Sequence, residues 1–298
     1  MLTDFNIAII GGDARQLEVI RKLCEWDAAV YLCGFDQLDH RFSGSTPLEY
    51  DELPFDQLDA IVLPVPGTDD KGKVEAIFSK ENIVFQEEDV AKTPEHCLIF
   101  SGITNKYLNQ MASQTKRMLI PLFNRDDVAI YNSIPTVEGT IMMAIQHTDF
   151  TIHSSNIVVT GLGRVGMSTA RTFDALGANV SVGARKSEDL ARITEMGLTP
   201  FEMKDLEHYV KDCDILINTV PAPVVSASVI ANLPPNALIL DLASKPGGTD
   251  FRYAEKRGVQ AILALGLPGM VAPKTAGLIL AKVISQLIQE QLKERGDS

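Results

Sequence analysis

Three glycines spaced as Gly161-x-Gly163-x-x-Gly166 carry the clearest chemical signal in the chain. They follow the apolar run Asn156-Ile157-Val158-Val159-Thr160 and precede a helical pattern. Strand, glycine turn, helix is the context in which this spacing binds a dinucleotide. Gly161 permits a tight turn, Gly163 lets backbone N–H groups approach a pyrophosphate, and Gly166 lets the helix pack closely on the strand. The turn residues Gly161, Leu162, Gly163, Arg164, Val165 and Gly166 are therefore expected to hold phosphates at a helix N-terminus, where unpaired N–H donors and a partial positive charge favour anions. The same string would also suit a domain of this kind that has lost its ligand.

A turn that binds NAD places Asp or Glu at the end of the second strand, about 20 residues past the glycines, to bond the ribose 2′-hydroxyl. Here that position reads Gly183-Ala184-Arg185-Lys186-Ser187, two cations and a hydroxyl without a carboxylate. A 2′-phosphate is matched by a guanidinium fork and such donors, so Arg185 and Lys186 are expected to favour NADP, with NAD possible. In the alternative, Arg185 stacks on the adenine and both nucleotides are accepted. The strand ends Thr219-Val220-Pro221, Leu242-Ala243-Ser244 and Gly266-Leu267-Pro268 would line the nicotinamide. Hydride transfer asks mainly that the ring be held against its substrate.

Substrate contacts are expected from other stretches. Gly11-Gly12-Asp13 lacks a third glycine and is not a second dinucleotide turn, but Arg15 in the following helical turn suits a small carboxylate. Ser101 closes an apolar strand. Lys245 and Lys274 follow strand ends, and Lys274 opens the last helix, where the dipole disfavours a cation and a functional charge would explain one. Pro135 is expected in the first turn of a helix running to about His147. Asn132, Ser133 and Thr136 would then be substrate contacts, or Ser133 and Thr136 helix caps. No catalytic residue stands out, and Ser101, Thr136 and Glu138 are weak candidates for a proton acceptor. The five histidines, His40, His96, His147, His153 and His208, form no triad or metal set, and the four cysteines form no C-x-x-C pair. No metal is expected, and Cys24, Cys33, Cys97 and Cys213 read as reduced, mostly buried thiols.

The elements that must position these groups alternate. Apolar runs at 6–10, 29–33, 58–64, 97–100 and 118–122 are separated by helical patterns at 14–25, at 106–116 and, as a short helix, at 73–78. A second series runs 156–160, 179–183, 214–221, 237–242 and 260–265. Such alternation implies parallel sheets with helices on both faces. The expected architecture is α/β, two Rossmann-like domains with a cleft between them. Residues 1–130 form a substrate domain, 131–150 an inter-domain helix, 151–272 the nucleotide domain and 273–298 a helix returning to the first domain. Leu280, Val283, Ile284, Leu287, Ile288 and Leu292 form the apolar stripe of that last helix.

The bulk properties agree. The chain has 298 residues, 45% hydrophobic and 22% charged, with a net charge of −12. That charge argues against nucleic acid and anionic membranes as general partners, though a local Arg and Lys cluster could still take an anionic substrate. The polar start and the lack of a long apolar run point to a cytoplasmic protein without a membrane span.

Four strings taken together resemble the A subunit of bacterial dipicolinate synthases: Ile9-Ile10-Gly11-Gly12-Asp13-Ala14-Arg15-Gln16, Asn132-Ser133-Ile134-Pro135-Thr136-Val137-Glu138-Gly139, the glycine turn, and Leu267-Pro268-Gly269-Met270-Val271-Ala272-Pro273-Lys274-Thr275-Ala276-Gly277. The resemblance spans the whole chain. It implies oxidation of dihydrodipicolinate, or of its 4-hydroxytetrahydrodipicolinate precursor, to pyridine-2,6-dicarboxylate. It also implies that a flavoprotein-like B subunit is the partner, and that the chain acts in the mother cell of a sporulating bacterium. A dicarboxylate needs at least two cationic or N–H-rich anchors, for which Arg15 and Lys245 or Lys274 are the candidates. Competing readings are a non-catalytic nucleotide-binding subunit, or another two-domain dehydrogenase of 2-hydroxy-acid or shikimate type. Self-association into a homo-oligomer is possible.

Overall fold

The computed structural model describes residues 1–39 and 42–296, with side chains to Gln291; His40 and the side chain of Leu292 lie outside that range. The chain forms two compact units, one from Met1–Ala129 with the segment from Ala272 onward, the other Ile130–Val271.

The first unit contains β1 (Asn6–Ile10), α1 (Ala14–Glu25), β2 (Ala29–Cys33), β3 (Ser45–Pro47), β4 (Ala60–Val62), α2 (Glu87–Lys92), β5 (Leu98–Ser101), α3 (Lys106–Thr115), β6 (Met118–Pro121) and the start of α4 (Asp126–His147). The second continues α4 and adds β7 (Asn156–Thr160), α5 (Arg164–Ala175), β8 (Asn179–Ala184), α6 (Ser187–Glu195), β9 (Thr199–Glu202), α7 (Leu206–Tyr209), β10 (Ile215–Asn218), α8 (Ala227–Ala231), β11 (Leu238–Asp241), α9 (Phe251–Arg257), β12 (Gln260–Leu263) and α10 (Leu267–Val271). Helix α11 (Pro273–Gly296) belongs to the first unit.

The two sheets repeat one topology. The first has strand order β3-β2-β1-β4-β5-β6 and the second β9-β8-β7-β10-β11-β12, all parallel. In each, the order reverses beside the first strand, between β1 and β4 and between β7 and β10. A doubly wound sheet offers its ligand crevice at that reversal, beyond the carboxyl ends of the strands. The strands are nearly continuous apolar runs because both faces are covered; Ile7, Ile9, Ile157, Val159, Ile215 and Ile217 are all buried.

In the first unit, α11 lies against α1 and adds Leu280, Ala281, Val283, Ile284 and Ile288 to the core around Ile7, Ile9, Val19 and Leu23. Gly277 makes the approach possible, since a Cβ there would run into the Arg15 carbonyl.

Three local expectations are corrected. Residues 73–78 are not helical. Lys73 bridges Val84, Val74 bridges Thr68 and Ala76 bridges Gly12, so the segment is extended and pairs its backbone with neighbouring chain. Helix α4 begins at Asp126, placing Pro135 in its interior. Asp126 and Asp127 suit the positive end of the helix, and the Asp127 carboxylate accepts from the Val128 N–H. Buried Val128, Val137, Thr140 and Ala144 anchor the helix on both sides of the proline, offsetting an interior cost of about 3 kcal/mol. Ser133 and Thr136 are consequently not caps. The short elements β3, β9, α2, α8 and α10 are additional to those read from periodicity.

Candidate nucleotide site

The crevice at the β7/β10 reversal is built by the glycine turn. Gly161 has φ +88°, and a Cβ on it would press on Val220 and Thr219. A Cβ on Gly166 would collide with the Gly161 carbonyl oxygen, so the missing side chain lets α5 start directly against the turn. Gly163 differs. Its φ of −76° is available to any residue, and an added Cβ would meet nothing within 4 Å. No local packing or backbone requirement explains a glycine there. Gly163 is the N-cap of α5, yet no side chain caps that helix and no acidic residue stands in its first turn. The first turn of α5 therefore has neither a capping side chain nor an acidic residue of its own, which favours an anion there.

Around this helix end lies a crevice of about 730 Å³. The sequence-expected residues Gly161, Leu162, Gly163, Arg185, Lys186, Thr219, Val220 and Pro221 all line it. Arg164, Val165 and Gly166 belong to the first turn of α5 and do not line it; Leu242 and Ala243 do not line it either. Arg185 is exposed at the end of β8 and makes no hydrogen bond or ion pair among the described residues. Lys186 lies 3.9 Å from Glu188, a loose surface pair worth little. The crevice brings together a helix end without a capping side chain and an uncommitted guanidinium.

Periodicity does not point to Asp189, Met203, Ala222 and Val224, which also line the crevice. Met203 follows β9, and its sulfur and the Phe201 ring occupy the space where a Gly183 side chain would stand. Asp189, in the first turn of α6, supplies a carboxylate near the position where β8 itself lacks one.

The β1/β4 reversal of the first unit has the opposite character. The Gly12 N–H donates to the Glu75 carbonyl at 2.7 Å and the Ile77 N–H to the Gly12 carbonyl at 3.1 Å. The segment around 74–77 thus lies over the turn, and its Glu75 oxygen and Val74 side chain fill the space beside Gly11. The α1 end is capped as well. Asp13 accepts from the Arg15 N–H at 2.9 Å, and Gln16 closes a capping box. Two sheets with one topology therefore present one helix end without a side-chain cap and one that is closed by its own chain.

The expected substrate contacts are distributed over both units. Arg15 is buried and gives Nε and Nη2 to the Asp13 carboxylate, leaving Nη1 without a partner among the described residues. Burial works to raise the Asp13 carboxyl, but the hydrogen bonds and charge of Arg15 prevail and hold it below its ordinary value. Ser101 is fully buried and donates to the Ile103 carbonyl at 2.6 Å. Lys274 is exposed in a surface hollow with Glu18 and Arg21 that Arg15 does not line. In the second unit, Thr136 donates to the Asn132 carbonyl at 2.8 Å. Ser133 donates to the Ile130 carbonyl at 2.7 Å and meets the Ser168 hydroxyl at 2.8 Å, tying α4 to α5. Glu138 and Lys245 are exposed. Among the described residues no group of His, Cys, Asp and Glu could hold a metal ion, and no helix is long and apolar enough to cross a membrane.

Comparison with known proteins accounts for both units. Residues 6–123 match the family described as the N-terminal domain of the dipicolinate synthase A subunit, and residues 128–297 match Alanine dehydrogenase/PNT, C-terminal domain. The dipicolinate synthase A subunit of Bacillus subtilis (strain 168) is 61% identical over 296 residues, covering 99% of this chain and 100% of that protein. The crystal structure of the dipicolinate synthase A subunit from Bacillus halodurans is 60% identical with a TM-score of 0.95, covering 97% of this chain and 99% of that one. A shorter similarity, 30% over 115 residues, links 37% of this chain to 42% of the shikimate dehydrogenase (NADP(+)) of Pyrococcus furiosus. A doubly wound pair of parallel sheets, a dehydrogenase-type second unit and full-length identity to such relatives together establish that the chain belongs to the family of dipicolinate synthase A subunits.

Proposed function

We propose that this chain oxidises dihydrodipicolinate, formed from 4-hydroxytetrahydrodipicolinate by loss of water, to pyridine-2,6-dicarboxylate with NADP as hydride acceptor. The observation that carries the reading is the bare N-terminus of α5 facing a crevice that also holds the unpartnered Arg185. A bound nicotinamide would supply the two-electron hydride acceptor; the substrate loses a hydride and a proton, and the product ring is aromatic. Aromatisation supplies driving force, so the chain needs chiefly to bind and orient.

In this reading the α5 N–H groups hold the pyrophosphate, and Arg185 with Lys186 holds the 2′-phosphate. Thr219, Val220 and Pro221, with Leu242 and Ala243, flank the nicotinamide. Lys245 is one carboxylate anchor, and Arg15 through its uncommitted Nη1 is another. Asn132, Thr136 and Lys274 are further polar contacts, while the buried Ser101 and Ser133 hydroxyls are already donated to the Ile103 and Ile130 carbonyls. The chain works together with a flavoprotein-like second protein, the B subunit of the synthase, in the mother-cell cytoplasm during sporulation. A second reading, use of NAD in the same crevice, is favoured by Asp189, whose carboxylate could accept from a free ribose hydroxyl. The test mixes the purified chain, NADP⁺ and freshly made precursor, with and without the partner protein. Dipicolinate and NADPH are expected together, and absence of product in both arms refutes the proposal.

A further inference from the structure

Asp241 ends β11 with its side chain wholly buried at the close of an otherwise apolar strand. Its carboxylate accepts four hydrogen bonds. Oδ1 takes Asn218 Nδ2 at 2.8 Å and the Ala243 N–H at 3.1 Å, while Oδ2 takes the Gly248 N–H at 2.8 Å and the Thr249 hydroxyl at 2.7 Å. Asn218, equally buried at the end of β10, extends the connection. Its Oδ1 accepts from the Thr160 hydroxyl at 2.6 Å and the Val220 N–H at 3.1 Å, and its Nδ2 also donates to the Val220 carbonyl at 3.1 Å.

Two loops are held by these two side chains. One is 219–221, which lines the nucleotide crevice. The other is 242–249, fastened at Ala243 and again at Gly248 and Thr249, with Ser244, Lys245 and Pro246 exposed between the fastenings. The loops also press together, since a Cβ on Gly248 would lie 2.5 Å from both Asn218 Nδ2 and the Ala222 carbonyl. A carboxylate is costly to bury, and well-packed apolar groups would fill the space with less penalty. What the carboxylate adds is direction: three donors from the loop 242–249 and one from Asn218 at the end of β10 converge on one group.

We propose that Asp241 is a positioning residue that, directly and through Asn218, holds the crevice-lining turn 219–221 in fixed relation to the loop carrying Lys245. This rests on the reading of the crevice as a nucleotide site. Asp241→Asn keeps the shape and breaks the pattern. With its amide nitrogen on the Oδ1 side, it faces the Ala243 N–H and the Asn218 amide, which cannot turn over while its oxygen accepts from Val220. On the Oδ2 side it faces the Gly248 N–H, and only the Thr249 hydroxyl can reverse to accept.

The experiment titrates the purified full chain with NADP⁺ and NADPH, well below the melting temperature of each protein. Wild type, Asp241→Asn, Asn218→Ala, their double variant and Thr249→Val are compared. Asp241→Asn is expected to weaken nucleotide binding about tenfold and Thr249→Val about twofold to threefold. The double variant should bind no more weakly than the weaker single variant, because both substitutions release the same turn. A general loss of stability would not produce that saturation. If Asp241→Asn does not fold, Thr249→Val decides, and wild-type affinity in it overturns the proposal. Folded Asp241→Asn with wild-type affinity, or losses that multiply in the double variant, overturns it too. If wild type itself binds no nucleotide, the reading of the crevice fails and this inference fails with it.

Discussion

Gly163→Ala separates a role in the fold from a role in binding, and its effect follows from the geometry. The φ of −76° and ψ of −168° suit alanine, and the new methyl meets no atom within 4 Å. Two effects on stability remain. Alanine is a poorer N-cap than glycine, by less than about 1 kcal/mol. It also restricts the unfolded chain, which gains about 0.4–1 kcal/mol. They nearly cancel, so the melting temperature should stay within a few degrees, at roughly 2–4 °C per kcal/mol for units of this size. Nucleotide binding should respond differently if, as proposed, the pyrophosphate approaches the α5 N–H groups past this position. Loss of one or two charge-assisted hydrogen bonds costs about 1.5–3 kcal/mol, a weakening of roughly tenfold to a hundredfold. Gly166→Ala is the control. Its methyl collides with the Gly161 carbonyl, and such overpacking costs about 1–3 kcal/mol of stability. Calorimetric titration with NADPH and thermal unfolding of both variants decide the matter. A Gly163→Ala protein that binds NADPH as tightly as wild type would refute the assignment of the phosphates to this turn.

Arg185→Ala should weaken NADP about tenfold and leave NAD within about twofold, measured by competitive titration; equal losses contradict the 2′-phosphate assignment. The depressed Asp13 carboxyl predicts a pH signature. Because its folded value lies below the ordinary 3.8, its pairing with Arg15 contributes stability above that value, lost as pH falls through the folded value. The stability gap between wild type and Arg15→Ala in urea unfolding should therefore be widest near neutral pH and close on acidification; a constant gap would contradict the pairing. Burial pushes the Cys33, Cys97 and Cys213 thiols up to about 12, with nearby carboxylates adding to the rise at Cys33. Burial also raises the partly buried Cys24, by less. Alkylation of the native protein should therefore begin at Cys24, and equally fast labelling of Cys213 would be inconsistent with this packing.

The β-α alternation was legible because buried parallel strands are written as short apolar runs. Gly177, with φ +82° just past α5, and Gly258, with φ +71° just past α9, close those helices with a conformation that favours glycine. What escaped had weak local signals. β3 and β9 are edge strands of three and four residues with little apolar pattern. Pro135 read as a helix start because proline tolerates that position best, and only tertiary anchoring by Val128 and Ala144 carries α4 through it. The glycine turn and the Arg185-Lys186 end of the crevice were readable because spacing and charge are local. The closure of the β1/β4 reversal was not, because it depends on Glu75 and Ile77, more than sixty residues from Gly12. Asn218 and Asp241 lie inside the runs 214–221 and 237–242 and do not stand out there, because what they bond to is a tertiary fact.

The most direct test of the central claim is the ratio of NADPH formed to dipicolinate formed by the purified chain, supplied with NADP⁺ and freshly generated dihydrodipicolinate under anaerobic conditions. Hydride transfer in the crevice beside α5 predicts one NADPH for each pyridine ring, with both products forming roughly tenfold to a hundredfold more slowly in Gly163→Ala at subsaturating NADP⁺. Dipicolinate appearing without NADPH, or at an undiminished rate in the variant, would contradict it.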